Sequence, residues 1–204
     1  MTTYTLNIDI DKAGLDILTE ASQQICIVKQ TTPTSNPVIW VTFHPELTNS
    51  VTWTEDYLVY GSSTSIQSGA TIETNSVLPA SGGDTYTFEN GQFDENGKPG
   101  NSAVQYGVDN QDDNFNPLTA GLAQVNSQTA GETIPINATE VPFNNTGVYT
   151  PIEKVQVFAM AEVNNALVLS SVTGDALLVD LTEQPNQTIH YQDSDNTFQP
   201  GSLS

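Results

Sequence analysis

Alternation of hydrophobic and polar residues is the main pattern of this chain. Between Thr3 and Ile10, the apolar residues Tyr4, Leu6 and Ile8 alternate with polar ones. A two-residue period is typical of a strand with one buried face. The same period recurs over most of the sequence, so we expect a protein built mainly from strands.

One early segment departs from this alternation. Residues 11–21 begin with Asp11, a residue type that caps helices, and Leu15 and Leu18 lie three positions apart. This spacing places both leucines on one face of a helix. Gly14 lowers the helix propensity. We predict one short helix here.

Further strands are predicted where apolar runs lie between turn-forming residues. They cover residues 23–30, 38–43, 70–78, 85–89, 103–108, 133–136, 138–143 and 188–192. Residues 51–54 and 57–60 are predicted to form one strand with a kink at Glu55 and Asp56. Asn90-Gly91 predicts a tight hairpin, because both residues tolerate a positive φ. Residues 118–131 fit either a strand or a short helix.

The most apolar part of the chain lies between residues 152 and 181. It predicts three antiparallel strands, over residues 153–163, 167–172 and 176–181. With about ten to twelve short strands in all, the sequence predicts an all-β fold, an antiparallel β-sandwich. A β-barrel is the alternative, and we expect at most one or two short helices. We expect a single domain over residues 1–204, with a polar C-terminal tail from about residue 193.

The composition is unusual in its small number of basic residues. The 204 residues include 24 Asp and Glu but only four Lys and no Arg, so the net charge is −20. Ser, Thr, Asn and Gln supply 74 residues. Nucleic acids and anionic membrane surfaces need clustered basic residues, so we exclude both as partners. A neutral glycan or self-association fits this surface better.

The N-terminal residues bear on localisation. The first 20 residues contain four acids, and no basic start is followed by an apolar block. This pattern differs from a classical signal peptide. We therefore expect a cytoplasmic protein, or one exported without such a signal. Cys26 is the single cysteine and lies in an apolar run, so no intrachain disulfide can form.

Catalytic motifs are scarce in the sequence. It has no nucleophile elbow, no phosphate-binding loop and no zinc-protease motif. His44 and His190 are the two histidines, and each fits a structural position. We therefore expect a protein that is not an enzyme, with a hydrolase built on a spatially assembled carboxylate site as an alternative.

An acidic loop is the candidate metal site. Asp109, Asp112 and Asp113 lie beside Asn110 and Asn114. Carboxylate and amide oxygens are the ligands that Ca²⁺ prefers in proteins. The spacing does not fit an EF-hand. The sequence predicts Ca²⁺ as the candidate cofactor.

Aromatic residues next to polar ones indicate a ligand site. Trp53, Tyr57 and Tyr60 lie close together in the sequence, and Asp193 and Asp195 supply hydrogen-bond acceptors. Aromatic rings bury large apolar areas while tyrosine and tryptophan keep a polar group. We therefore predict that the protein binds a neutral or cationic ligand or surface, glycans first. A second hypothesis is a self-assembling structural subunit of a filament, shell or lattice, and a third is a pore-forming toxin.

Overall fold

The structure is a computed structural model that describes residues 2–33 and 36–203. These residues form one helix and eighteen strands, with 52% of the chain in strands and 4% helical. The elements are β1 Thr3–Asp9, α1 Lys12–Glu20, β2 Gln23–Thr32, β3 Asn36–Pro37, β4 Val41–Phe43, β5 Thr48–Thr54, β6 Leu58–Ser62, β7 Ser76–Pro79, β8 Asp84–Glu89, β9 Gln92–Phe93, β10 Lys98–Pro99, β11 Tyr106–Asn110, β12 Leu118–Val125, β13 Thr133–Pro135, β14 Asn137–Val141, β15 Asn145–Ala161, β16 Leu177–Asp180, β17 Asn186–Gln192 and β18 Thr197–Pro200.

The strands form three sheets. The first has the order β18-β17-β1-β5. The second has eight strands in the order β10-β8-β11-β15-β2-β4, with β9 added to β8 and β16 added to β15. The third has the order β3-β14-β12-β6-β7, with β13 added to β12. The fold is all-β and sandwich-like, as predicted, and one sheet is curled into a half-barrel.

Most strand pairs are antiparallel, in agreement with the prediction. Within the described residues, two pairs run parallel: β1 with β17, and β8 with β11. Parallel neighbours need a connection of a dozen or more residues. Residues 90–105 connect β8 to β11, and most of the chain lies between β1 and β17. The local alternation could not indicate which strands would become neighbours.

The best-patterned local elements are confirmed. β1 alternates between buried and partly exposed residues. Helix α1 begins after Asp11, whose carboxylate accepts a hydrogen bond from the backbone N–H of Gly14 at 2.7 Å. Asn90 and Gly91 both have a positive φ and join β8 to β9. In each case the residues that define the element are neighbours in the sequence.

The predicted kinked strand over residues 51–60 is wrong. β5 belongs to the four-stranded sheet, whereas β6 belongs to the six-stranded sheet. Glu55 and Asp56 therefore lie where the chain crosses from one sheet to another. Both halves have an alternating pattern, and that pattern does not indicate which sheet a strand joins.

Three further segments differ most from the prediction, and one open alternative is decided. Within residues 70–78 only the last part is a strand, because β7 begins at Ser76. The predicted middle strand over residues 167–172 is absent from the described structure, and β16 pairs directly with β15. For residues 118–131, where the sequence fitted either a strand or a short helix, the structure has the buried strand β12 over Leu118–Val125. The polar segment after residue 193 contains β18, which pairs with β17 and buries Phe198.

Strand β2 separates two apolar clusters. Ile25 and Ile27 face the larger cluster, which includes residues from all three sheets. Cys26 and Val28 face a smaller cluster that includes Phe158. Because successive side chains point to opposite faces of a strand, burial on both sides explains the unbroken apolar run in β2.

A bulge interrupts the pairing between β2 and β15. Ile152 lies opposite Gln30 and Val155 lies opposite Lys29. Glu153 and Lys154 are thus two extra residues without a partner in β2. A bulge re-aims the side chains of its strand, and here it brings Glu153 towards Lys29.

The close packing of β12 against β14 provides a test of this architecture. A Cβ atom on Gly121 would lie 2.7 Å from the backbone oxygen of Asn137. We expect Gly121→Ala to lower the free energy of unfolding by about 1–3 kcal/mol because the two strands must separate. Gly100→Ala is the control, since a Cβ there has no heavy atom within 4 Å. Chemical denaturation should show the loss for Gly121→Ala alone, and equal effects would contradict this packing.

Candidate functional site

Lys29 is a charged residue at an interior position. In β2 it belongs to the same alternating set as Ile25 and Ile27, which face the larger core. Its side chain is 0% exposed. An ammonium group out of water is costly unless other groups compensate for the lost hydration. The residues around Lys29 provide this compensation.

Three aromatic rings surround the ammonium group. Lys29 Nζ lies 5.2 Å from the ring centroid of Trp40, 5.2 Å from that of Trp53 and 5.4 Å from that of Tyr57. All three distances are within the range of a cation–π interaction. Trp40 and Trp53 meet edge to face at 5.3 Å. We call these three residues the aromatic cage.

Two polar side chains complete the surroundings of the ammonium. Lys29 Nζ donates to Glu153 Oε2 at 3.0 Å and to Gln124 Oε1 at 2.9 Å. Glu153 also accepts hydrogen bonds from Trp53 Nε1 at 3.0 Å and from the Tyr57 hydroxyl. The carboxylate is therefore paired with a cation and held by two neutral donors.

These contacts act in opposite directions on the proton affinity of Lys29. Burial lowers the pKa of its ammonium to about 8, and the nearby Glu153 carboxylate partly offsets this effect. Burial raises the pKa of the Tyr57 hydroxyl, and Glu153 raises it further. Tyr57 thus stays a neutral donor, while Lys29 is an amine that loses its proton more readily than an exposed lysine.

Glu153 also faces an open depression on the surface. Its side chain is 12% exposed. The depression has a volume of about 470 Å³. We call it the carboxylate cleft, and its lining residues are Thr2, Tyr4, Glu55, Pro151, Ile152, Glu153, Thr182 and Pro185. The Tyr4 hydroxyl donates to Glu55 Oε1 at 2.6 Å.

The aromatic residues predicted to bind a ligand are buried. Trp53 is 3% exposed, Tyr57 is 5% exposed and Tyr60 is 0% exposed. Tyr4 stacks on Trp53 with centroids 5.7 Å apart, and the Tyr60 hydroxyl donates to the Asn137 carbonyl at 2.7 Å. Their rings are therefore closed to a sugar at the surface. Trp53 and Tyr57 contact Lys29 instead.

Asp193 and Asp195 lie apart from these rings, in the turn between β17 and β18. Asp195 accepts a hydrogen bond from Ser194 at 3.1 Å. This turn is in the four-stranded sheet, where β1 separates β17 from the strand that carries Trp53. The structure does not bring the predicted acids and rings onto one surface.

The predicted metal ligands do not form a metal-binding group. Asp112 is 5% exposed and accepts hydrogen bonds from the backbone N–H of Gly91 at 2.7 Å and of Asn114 at 3.0 Å. Asp109 accepts from Gln111 at 3.0 Å, and Asp113 is exposed. Within residues 2–33 and 36–203, no three His, Cys, Asp or Glu side chains form a group that could hold a metal ion.

Sequence reasoning missed Lys29, Gln124 and Glu153. Lys29 and Gln124 carried a weak signal, because each follows a run of apolar residues in a strand that is buried on both faces. Glu153 carried none, since its inward direction depends on the bulge in β15. The sequence predicted Trp53 and Tyr57 as part of a site, but it did not predict Lys29 as their partner.

Comparison with protein-family models, with curated proteins and with solved structures found no match to this chain. The helix of the described residues, Lys12–Glu20, lacks the length and apolar character that crossing a membrane requires. Because the comparisons found no match, the function is inferred from the geometry of the site.

The hydrogen bond from Tyr57 to Glu153 can be tested by removing one hydroxyl group. We expect Tyr57→Phe to lower the free energy of unfolding by about 1–3 kcal/mol, because a buried carboxylate loses a donor. Urea denaturation followed by tryptophan fluorescence measures the change.

Tyr106→Phe is the matched control. Its ring lies 5.5 Å from that of Tyr57, and its hydroxyl has no hydrogen bond with the described residues. We expect this variant to stay within about 0.5 kcal/mol of the original protein. A loss of equal size in both variants would contradict the role assigned to Tyr57.

Proposed function

We propose that the protein acts by binding a neutral or cationic ligand, a glycan first, in the carboxylate cleft. The observation that carries this proposal is that Glu55 and Glu153 line one open depression together with the Tyr4 hydroxyl. Carboxylates accept hydrogen bonds from sugar hydroxyls and pair with ammonium groups. Both kinds of ligand suit a chain with a net charge of −20.

The shape and lining of the cleft support a small ligand. Its volume of about 470 Å³ lies in the usual range for ligand pockets, about 300–1,000 Å³. Pro151, Ile152 and Pro185 provide apolar contacts, and Thr2 and Thr182 provide hydroxyl groups. A sugar ring presents both apolar C–H groups and hydroxyls, so it can use both kinds of lining.

The two carboxylates contribute differently. Glu153 is already paired with Lys29, Trp53 and Tyr57, so its charge is largely neutralised. Glu55 is exposed and has the Tyr4 hydroxyl as its neighbour. Glu55 is therefore the group that would pair with a ligand ammonium. An oligosaccharide that carries free amino groups should bind more tightly than its N-acetylated form.

Glu55→Gln tests this assignment. We expect it to weaken the binding of an amino-bearing oligosaccharide about fivefold, or about 1 kcal/mol, because a charged hydrogen bond becomes a neutral one. A glycan array selects the oligosaccharide, and isothermal titration calorimetry measures the affinity.

Glu20→Gln serves as the control for charge. Glu20 is exposed at the end of α1, so this variant changes the net charge equally without touching the cleft. An array without a neutral or amino-bearing hit would contradict the proposal, as would equal affinities of the two variants. Rings, tubes or lattices in negative-stain images would favour a self-assembling subunit instead.

Calcium binding by the loop that contains Asp109, Asp112 and Asp113 stays a prediction from the sequence. A ligand that binds only the folded state raises the unfolding temperature. Calcium binding by this loop predicts a higher melting temperature with millimolar Ca²⁺ than with a chelator, and no such difference for Asp113→Asn. Identical melting curves for the original protein in the two conditions would contradict calcium binding.

A further inference from the structure

The Lys29 amine has an electrophile and a proton carrier within hydrogen-bond distance. Its Nζ lies 2.9 Å from Gln124 Oε1 and 3.0 Å from Glu153 Oε2. We propose that Lys29 and Gln124 are joined by an intramolecular isopeptide bond, which forms when Lys29 Nζ attacks the side-chain carboxamide and Glu153 carries the proton. This inference is independent of ligand binding in the carboxylate cleft.

The reaction is a transamidation whose atoms balance without a further reactant. Glu153 first takes a proton from the Lys29 ammonium and leaves a neutral amine. The nitrogen lone pair attacks Gln124 Cδ, and a new C–N bond forms. Glu153 then passes its proton to Gln124 Nε2, the original C–N bond breaks, and ammonia leaves. Glu153 takes the second Nζ proton from the new amide nitrogen. The products are a secondary amide, one molecule of ammonia and a proton on Glu153, which reaches solvent through the carboxylate cleft.

The geometry places the nucleophile close to the carbon it attacks. Gln124 Cδ lies one C=O bond, about 1.2 Å, beyond the oxygen that Lys29 already contacts. Gln124 is 1% exposed, and its Nε2 donates to the Thr54 carbonyl, so the carboxamide is held in place. Such positioning of two reacting groups replaces an encounter in solution and lowers the barrier.

Burial also makes the neutral amine that the reaction needs easier to form than in an exposed lysine. Burial is the largest effect on Lys29 and lowers its pKa to about 8, which is how a desolvated lysine becomes a nucleophile. Its contact with Glu153 allows the proton to move directly between the two side chains. The side chain of Lys29 is 0% exposed and Gln124 is 1% exposed, so the two reacting groups meet out of contact with bulk water.

The carboxylate cleft provides a way out for ammonia. Glu153 contacts Lys29 on its inner side and lines this open depression on its outer side. Ammonia released beside Glu153 therefore has a short path to solvent. The proton carrier is the one residue of the reacting group that is partly exposed.

The bond would join two sheets of the sandwich. Lys29 belongs to β2 in the eight-stranded sheet, and Gln124 belongs to β12 in the six-stranded sheet. They are 95 residues apart in the sequence, and a cross-link that closes a long loop restricts the unfolded chain strongly. Cys26 is the single cysteine, so this chain has no disulfide that could do the same.

Intact-mass spectrometry of the folded protein tests the inference. After incubation at pH 8, the chain should be lighter than its sequence mass by one ammonia molecule. Trypsin should leave the bond after Lys29 uncut in the denatured chain, because an acylated lysine is not recognised. Fragmentation of the remaining peptide should place the modification on Lys29 and Gln124.

Glu153→Gln keeps the size of the side chain but removes the proton carrier. We expect this variant to have its full sequence mass and a cleavable Lys29. Glu140→Gln is the matched control, since Glu140 is exposed in β14, and it should lose ammonia like the original protein. Because the peptide map of the original protein needs no variant, the test does not depend on whether Glu153→Gln folds.

Two results would overturn the inference. One is a folded original protein that keeps its full sequence mass and is cut after Lys29. The other is the loss of one water molecule instead of ammonia, which would place the bond between Lys29 and Glu153. Loss of ammonia in Glu153→Gln would refute the assigned role of the carboxylate.

Discussion

The ammonium group of Lys29 imposes the strictest requirement on the interior of this protein. A charge removed from water costs several kcal/mol unless hydrogen bonds and an opposite charge replace its hydration. Here the replacement comes from Glu153 in β15, Gln124 in β12 and the rings of the aromatic cage. Because these groups lie far apart in the sequence, the sheets must dock in one arrangement for all of them to meet at one nitrogen.

The bulge in β15 makes this arrangement possible. A regular strand would pair residue by residue with β2, whereas Glu153 and Lys154 have no partner there. The two extra residues point in different directions. Glu153 contacts the buried Lys29, whereas Lys154 Nζ lies 2.8 Å from Asp180 Oδ2 in a partly exposed ion pair. Glu153 thereby connects the interior with the carboxylate cleft, so the proposals for ligand binding and for cross-linking involve adjacent space.

The position of Lys29 also affects the charge of the protein surface. Of the four lysines, one neutralises an interior carboxylate, and Lys12 and Lys154 are paired with Asp16 and Asp180. Lys98 donates to the Thr87 hydroxyl. The surface therefore offers even fewer unpaired cations than the composition indicates. A strongly negative surface repels anions and concentrates cations, which agrees with a cleft built around carboxylates.

The sequence by itself determined the all-β class, the first strand, the capped helix and the hairpin at Asn90-Gly91, because the interactions that define them are local. It did not assign Lys29 and Gln124 to the site, because β2 and β12 are buried on both faces and show no two-residue period of burial. Tertiary structure alone decided that β5 and β6 belong to different sheets, that β1 lies parallel to β17 and that Glu153 turns inward. Each of these outcomes depends on contacts between distant strands. Alternation indicates which face of a strand is buried. It does not indicate which strand will pair with it or which sheet will pack against it.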